Sequence, residues 1–107
     1  MANFNAETIN TIWKKATIVP NNDPAVWRKD IAGAWIKRSE YGKKTKYGWE
    51  IDHKKPVAKG GTDNNTNLRP LHWENNESKN DDYPEWHSVV TASGADNVHK
   101  KQKWEIS

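Results

Sequence analysis

The chain has 107 residues, of which 34% are hydrophobic and 29% charged, enough for one domain with a small core. It has no cysteine, which excludes disulfides and thiolate zinc sites. Its net charge of +3 is too small to name a nucleic-acid partner by itself. Seven tryptophans, spread from Trp13 to Trp104, each bring a large apolar area and argue that this polar chain folds as one unit, residues 1–107.

In chain order, Ile9, Ile12, Trp13 and Ala16 recur at i, i+3, i+4 and i+7, which predicts an amphipathic helix over 6–17. The run Pro20 to Pro24 is a turn. Asp23 before Pro24 is an N-cap signature that predicts a short helix over 24–30. Gly33 ends it. Strands are predicted over 34–37 and 47–51, the second with Trp49 and Ile51 on one face. Lys59 to Asp63 is a loop whose two glycines accept positive φ. Leu68 and Leu71 bracket a short strand, held to an edge by Pro70. A helix is predicted over 73–80, with Glu74 and Glu77 near its positive end. A strand follows over 86–91, then a turn at Ser93 to Asp96. The tail is a second strand or a frayed end. No apolar run is long enough for a signal peptide or a membrane span, so the expectation is a cytoplasmic protein without a membrane partner.

The stretch Gly48 to Lys79 is unusually polar for structural material. The charge around it is uneven. Lys37, Arg38, Lys43, Lys44, Lys46, Lys54, Lys55 and Lys59 outnumber Glu40, Glu50 and Asp52 over 37–59, whereas acids dominate 74–85. A basic stripe suits a polyanion, and a solvated face is the plainer alternative. Within the stretch, Asp52 and His53 follow a strand that Pro56 stops. An aspartate oxygen suits a hard divalent cation, and a neutral imidazole accepts a proton near pH 7. Asn76 and Lys79 are three apart on one helix face, and an asparagine carbonyl can join an aspartate on Mg²⁺. Asn67 can both donate and accept where the loop rejoins the chain.

The ordered set Asp52-His53, Pro56, Gly60-Gly61, Asn67-Leu68 and Asn76 with Lys79 resembles the HNH endonucleases and their ββα-metal fold. The resemblance covers about a third of the chain, with a motif core of about 47–80. It implies an α+β fold: a ββα-metal core with an added N-terminal helical region and a C-terminal strand or hairpin. It implies hydrolysis of DNA phosphodiester bonds, with 5′-phosphate and 3′-hydroxyl products. His53 would be the general base. Asp52 and Asn76 would hold one divalent cation, Mg²⁺ first, with Mn²⁺, Ni²⁺ or Zn²⁺ as alternatives. Asn67 would brace the loop and help orient His53. The implied partner is DNA, double-stranded in the first instance and with RNA as the alternative, contacted through Arg38, Lys43, Lys44, Lys46, Lys54 and Lys55.

Many members of that family carry two Cys-x-x-Cys pairs on a structural zinc. Here the knuckle before Asn76 reads His72-Trp-Glu-Asn75, so no structural zinc is expected, and packing by Trp49, Trp73 and Trp86 would replace it. His72 is left with two readings, a ligand to metal or phosphate or a capping residue, and Lys79 stands as an additional site residue. Two rival functions share the fold: a DNA-binding domain without turnover, and a metal-stabilised interaction domain. Oligomeric state is not readable.

Overall fold

The computed structural model describes residues 4–106. The fold is mixed α+β: two α-helices and three two-stranded antiparallel sheets. Helix α1 (Ala6–Trp13) is capped by the Asn5 side chain, which accepts from the Thr8 amide at 2.8 Å. It is shorter than its apolar periodicity predicts. Lys15 and Ala16 tighten into i→i−3 hydrogen bonds, and Thr17 then exchanges two backbone hydrogen bonds with Lys29 (2.8 and 3.0 Å). The run Thr17-Ile18-Val19 is β-branched and prefers that extended pairing to another helical turn.

The predicted helix over 24–30 is a strand. The Asp23 cap is real, since its side chain accepts from the Ala25 amide, but it closes one turn only. Val26 and Trp27 then favour extended structure, and β1 (Trp27–Lys29) pairs with β2 (Trp35–Lys37). The chain reverses at Asp30 to Gly33, where Gly33 takes φ +88° and the Asp30 carboxylate accepts from the amides of Ala32 and Ala34.

The centre is a hairpin of β3 (Trp49–His53) and β4 (Leu68–His72), followed directly by α2 (Trp73–Lys79). Pro70 is tolerated because β4 has no partner strand on its other side. Strand alternation divides the hairpin. Trp49, Ile51 and Leu68 pack with Ile12, Trp13, Ala16 and Ile36. Leu71 packs instead with Ala32 and Trp86, and Trp86 lies on β5 (Glu85–Ser93). The tail is paired as β6 (Asp96–Glu105), antiparallel to β5, with a register shift between Ser88 and Val90. Among the described residues no helix is long and apolar enough to cross a membrane.

Between the two cores lies a hydrogen-bonded staple. Asp30 is 2% exposed, and its Oδ2 accepts from the His72 amide (2.9 Å) and from Asn75 Nδ2 (3.0 Å). Asn75, fully buried, also donates to the Val90 carbonyl and accepts from the amides of Val89 and Val90. One side chain thus ties α2 to β5 and to the β1–β2 turn. Burial pushes the Asp30 carboxyl up, against the pull of the Asn75, His72 and Ala34 hydrogen bonds. Of the three tryptophans expected to pack here, Trp49 and Trp86 are buried in the two cores, while Trp73 sits outside the staple and donates to the Thr45 carbonyl; polar bonding by Asp30 and Asn75 adds to that packing.

Candidate active site

β3 ends at His53 because Pro56 has no amide hydrogen for a ladder, and the chain turns away over Val57–Lys59. That ending lets neighbours on one strand serve one site. Asp52 and His53 both line a cleft of about 1030 Å³, together with Glu50, Asp63 and Asn76. The loop between β3 and β4 is folded back by its glycines. Gly60 takes φ +91°, and a Cβ on Gly61 would lie 1.7 Å from the Lys55 carbonyl oxygen.

Asn67 holds this loop closed. Its Oδ1 accepts from the Lys55 amide (2.9 Å), and its Nδ2 donates to the carbonyls of Lys55 (3.1 Å) and Thr62 (2.8 Å). Among the described residues no hydrogen bond joins its side chain to His53. The residue after Thr62 reaches the imidazole: Asp63 Oδ1 lies 2.6 Å from His53 Nε2. A carboxylate there accepts from Nε2–H, which leaves Nδ1 with its lone pair free. The imidazole also packs against Phe4, ring centroids 6.1 Å apart.

Asp52 is 4% exposed and doubly paired. Arg69, its cross-strand partner, donates Nε–H to Oδ2 (2.9 Å), and the fully buried Lys79 lies 3.2 Å from Oδ1. Lys79 also donates to the His53 carbonyl at 3.0 Å, so it fixes the strand end from below. Burial pushes the Lys79 ammonium down, against the pull of Asp52. Asn76 donates Nδ2–H to Glu50 Oε1 (2.9 Å), leaving its carbonyl oxygen unused by that contact.

His72 does not line the cleft, and both ring nitrogens are taken. Nδ1 accepts from the Glu74 amide as the α2 N-cap, and Nε2–H donates to the Lys46 carbonyl at 2.8 Å. That leaves the ring no nitrogen for metal or phosphate; of its two sequence readings, the capping one describes it. The basic stripe is also altered. Lys43 pairs with Glu40, Lys44 with Glu77 and Lys46 with Asp96, while Arg38 donates to Asn10. Of the six expected DNA contacts, only Lys54 and Lys55 have neither an ion pair nor a side-chain hydrogen bond among the described residues.

Residues 39–82 match the HNH endonuclease family model. No curated protein and no solved structure matches the chain. The HNH stretch contains β3, β4, α2 and every cleft residue named above except Phe4. HNH proteins act on nucleic acids and typically use a divalent metal ion. The donor chemistry fits such an ion. Glu50, Asp52, Asp63, Glu77 and Asp81 line the cleft against Lys44. That acidic wall repels a phosphodiester and attracts a hard cation. No three His, Asp or Glu side chains cluster at metal-binding range among the described residues, so the oxygens available are few.

Two residues of the cleft were missed in the sequence. Glu50 was legible: it stands two before Asp52 on one strand, hence on the same face. Asp63 was not, because nothing in its spacing says that the loop returns it to His53.

Proposed function

We propose that this protein is a metal-dependent endonuclease that hydrolyses phosphodiester bonds of DNA, with β3, β4 and α2 as its ββα-metal core. The observation that carries the reading is the cleft pairing of His53 Nε2 with Asp63, which leaves Nδ1 as an acceptor on a residue that lines the same cleft as Glu50, Asp52 and Asn76. His53 takes a proton from water at Nδ1. The water oxygen bonds to phosphorus in line as the bond to the 3′ oxygen breaks, and that oxygen leaves and takes a proton from solvent water to become a hydroxyl. Asp52 and Asn76 would hold one divalent cation, Mg²⁺ in this reading, with Glu50 fixing the Asn76 amide. The ion would offset negative charge on the phosphoryl oxygens and leaving group. Incubating supercoiled plasmid with Mg²⁺, with Mn²⁺ or with EDTA tests this: nicked or linear product appears only with metal, and an intact plasmid in every arm sinks the proposal.

Two substitutions probe the roles. Asn76→Ala removes a cation ligand and weakens Mn²⁺ binding about tenfold or more in a calorimetric titration; unchanged affinity removes Asn76 from the ligand set. Asp63→Ala frees the imidazole to turn and to change tautomer. We expect kcat to fall at least about tenfold with KM held within about twofold. The His53 ring ¹⁵N shifts should move from one tautomer to a mixture. Asp63 is 69% exposed in its side chain, so the melting temperature should not change. Equal kcat with an unchanged ring spectrum overturns the role of Asp63.

One observation favours a second reading, a DNA-binding domain without turnover. Asp52 already faces two cations, Arg69 and Lys79, which reduces its attraction for a third. Duplex binding without metal-dependent cleavage would select that reading. A metal-stabilised interaction domain would instead lose tens of degrees of melting temperature in EDTA.

A further inference from the structure

On the α1 side of β4 there is a second, smaller pocket of about 220 Å³, and no Asp or Glu lines it. Its polar walls are Lys15, Thr17, Lys54 and Arg69. Lys15 is fixed at its edge: Nζ donates to the carbonyls of Asn65 and Leu68, which leaves the third N–H of the ammonium free. Lys54 has no ion pair among the described residues. Arg69 and Lys79 share the carboxylate of Asp52, and Asp81 is also near enough to Lys79 to favour its charge. The Arg69 guanidinium bonds Asp52 and lies over the Trp86 ring, 4.7 Å from its centroid, so Arg69 lends the pocket its charge and not a direct contact. Elsewhere on the basic face, Lys43, Lys44 and Lys46 are neutralised by carboxylates. Among the described residues Lys54 is thus one of the cations of the 37–59 segment without a carboxylate partner, with Lys37, Arg38, Lys55 and Lys59.

We propose that the pocket lined by Lys15, Lys54 and Arg69 binds a backbone phosphate of duplex DNA. Burial and the charge of Lys54 both push the Lys15 ammonium down, a repulsion that a bound anion would relieve. The placement suits a nuclease. Lys54 is the next residue after His53, and Lys15 is held by the carbonyl of Leu68, the cross-strand partner of His53. The end of one hairpin thus presents an acidic, metal-suited cleft and a cationic pocket. A phosphate seated in the pocket would fix the duplex relative to His53 without any base contact. This deepens the nuclease reading and rests on it for the identity of the ligand.

The test separates the two. Duplex binding is measured by fluorescence anisotropy in EDTA, over a series of salt concentrations, where no turnover occurs. The Lys54 side chain makes no hydrogen bond, so Lys54→Glu and Lys54→Met are the primary variants, and Lys15→Met is added where its melting temperature matches wild type. Each lysine lost should lower the slope of log K against log salt by about one unit, with affinity falling several-fold on every sequence tried. In a parallel arm, inorganic phosphate should shift the NMR signals of Lys15, Thr17 and Lys54 before those of Lys100 and Lys101. A slope and affinity unchanged in folded Lys54→Glu overturn the pocket even if the protein cleaves DNA. So does a wild type that binds no duplex, and so do phosphate shifts equal at all five residues. Duplex binding that falls in the variants, in a protein that never cleaves, upholds the pocket and removes the nuclease reading instead.

Discussion

His53→Ala is expected to abolish metal-dependent plasmid cleavage and to leave duplex affinity within about twofold. The loss of a positioned general base costs about 10²- to 10⁴-fold in rate. The geometry argues for this split between chemistry and binding. His53 occupies the acidic cleft, held by Asp63 and packed against Phe4, and contributes no buried ion pair to the fold. Lys15 and Lys54, without an ion pair among the described residues, line the pocket on the α1 side of β4. Removing the ring therefore takes away the proton acceptor and little of the field that attracts a phosphate. His53→Ala at full activity would move the base elsewhere in the cleft. His53→Ala with DNA affinity reduced in proportion to rate would make His53 a binding residue.

The second large effect is on stability. Asp30→Ala leaves four donors without their acceptor: the amides of Ala32, Ala34 and His72, and Asn75 Nδ2. All four bonds are buried, and each unsatisfied buried donor costs about 1–3 kcal/mol. A total of about 4 kcal/mol or more is a large part of the stability of a domain of this size. The expected fall in melting temperature exceeds about 15 °C. Asp30→Asn should be nearly as damaging, because its NH₂ group replaces an acceptor with a donor opposite two donors. Asn75→Ala removes the same staple from the other end. The double substitution should cost less than the sum of the singles, the mark of a shared network. An Asp30→Ala variant that melts within about 4 °C of wild type would show that water replaces the carboxylate. In that case packing alone holds the knuckle.

The departures from the sequence reading have a common physical origin. The 24–30 segment carries a true helix start at Asp23, yet Val26 and Trp27 are drawn into a ribbon with Trp35 to Lys37, a partner no local window contains. The 6–17 periodicity is sound until Thr17 finds Lys29. His72 and Asn75 show only that thiolates are missing. What replaces them depends on Asp30, 42 and 45 residues away.

Composition excluded disulfides and thiolate zinc. The run of strand, glycine loop, short strand and helix could be read from alternation and turn residues, and with it the grouping of Asp52, His53 and Asn76 in one cleft. These are local properties, set by the period of a strand and the conformational reach of Gly60 and Gly61. Charge did not yield to the same reading. Whether a lysine meets a phosphate or a carboxylate depends on what lies within about 4 Å across space, and sequence distance carries no such information. Only the tertiary structure paired Lys44 with Glu77 and Lys46 with Asp96, gave Asp52 two cations, returned Asp63 to His53, and left Lys15 and Lys54 uncompensated in one pocket.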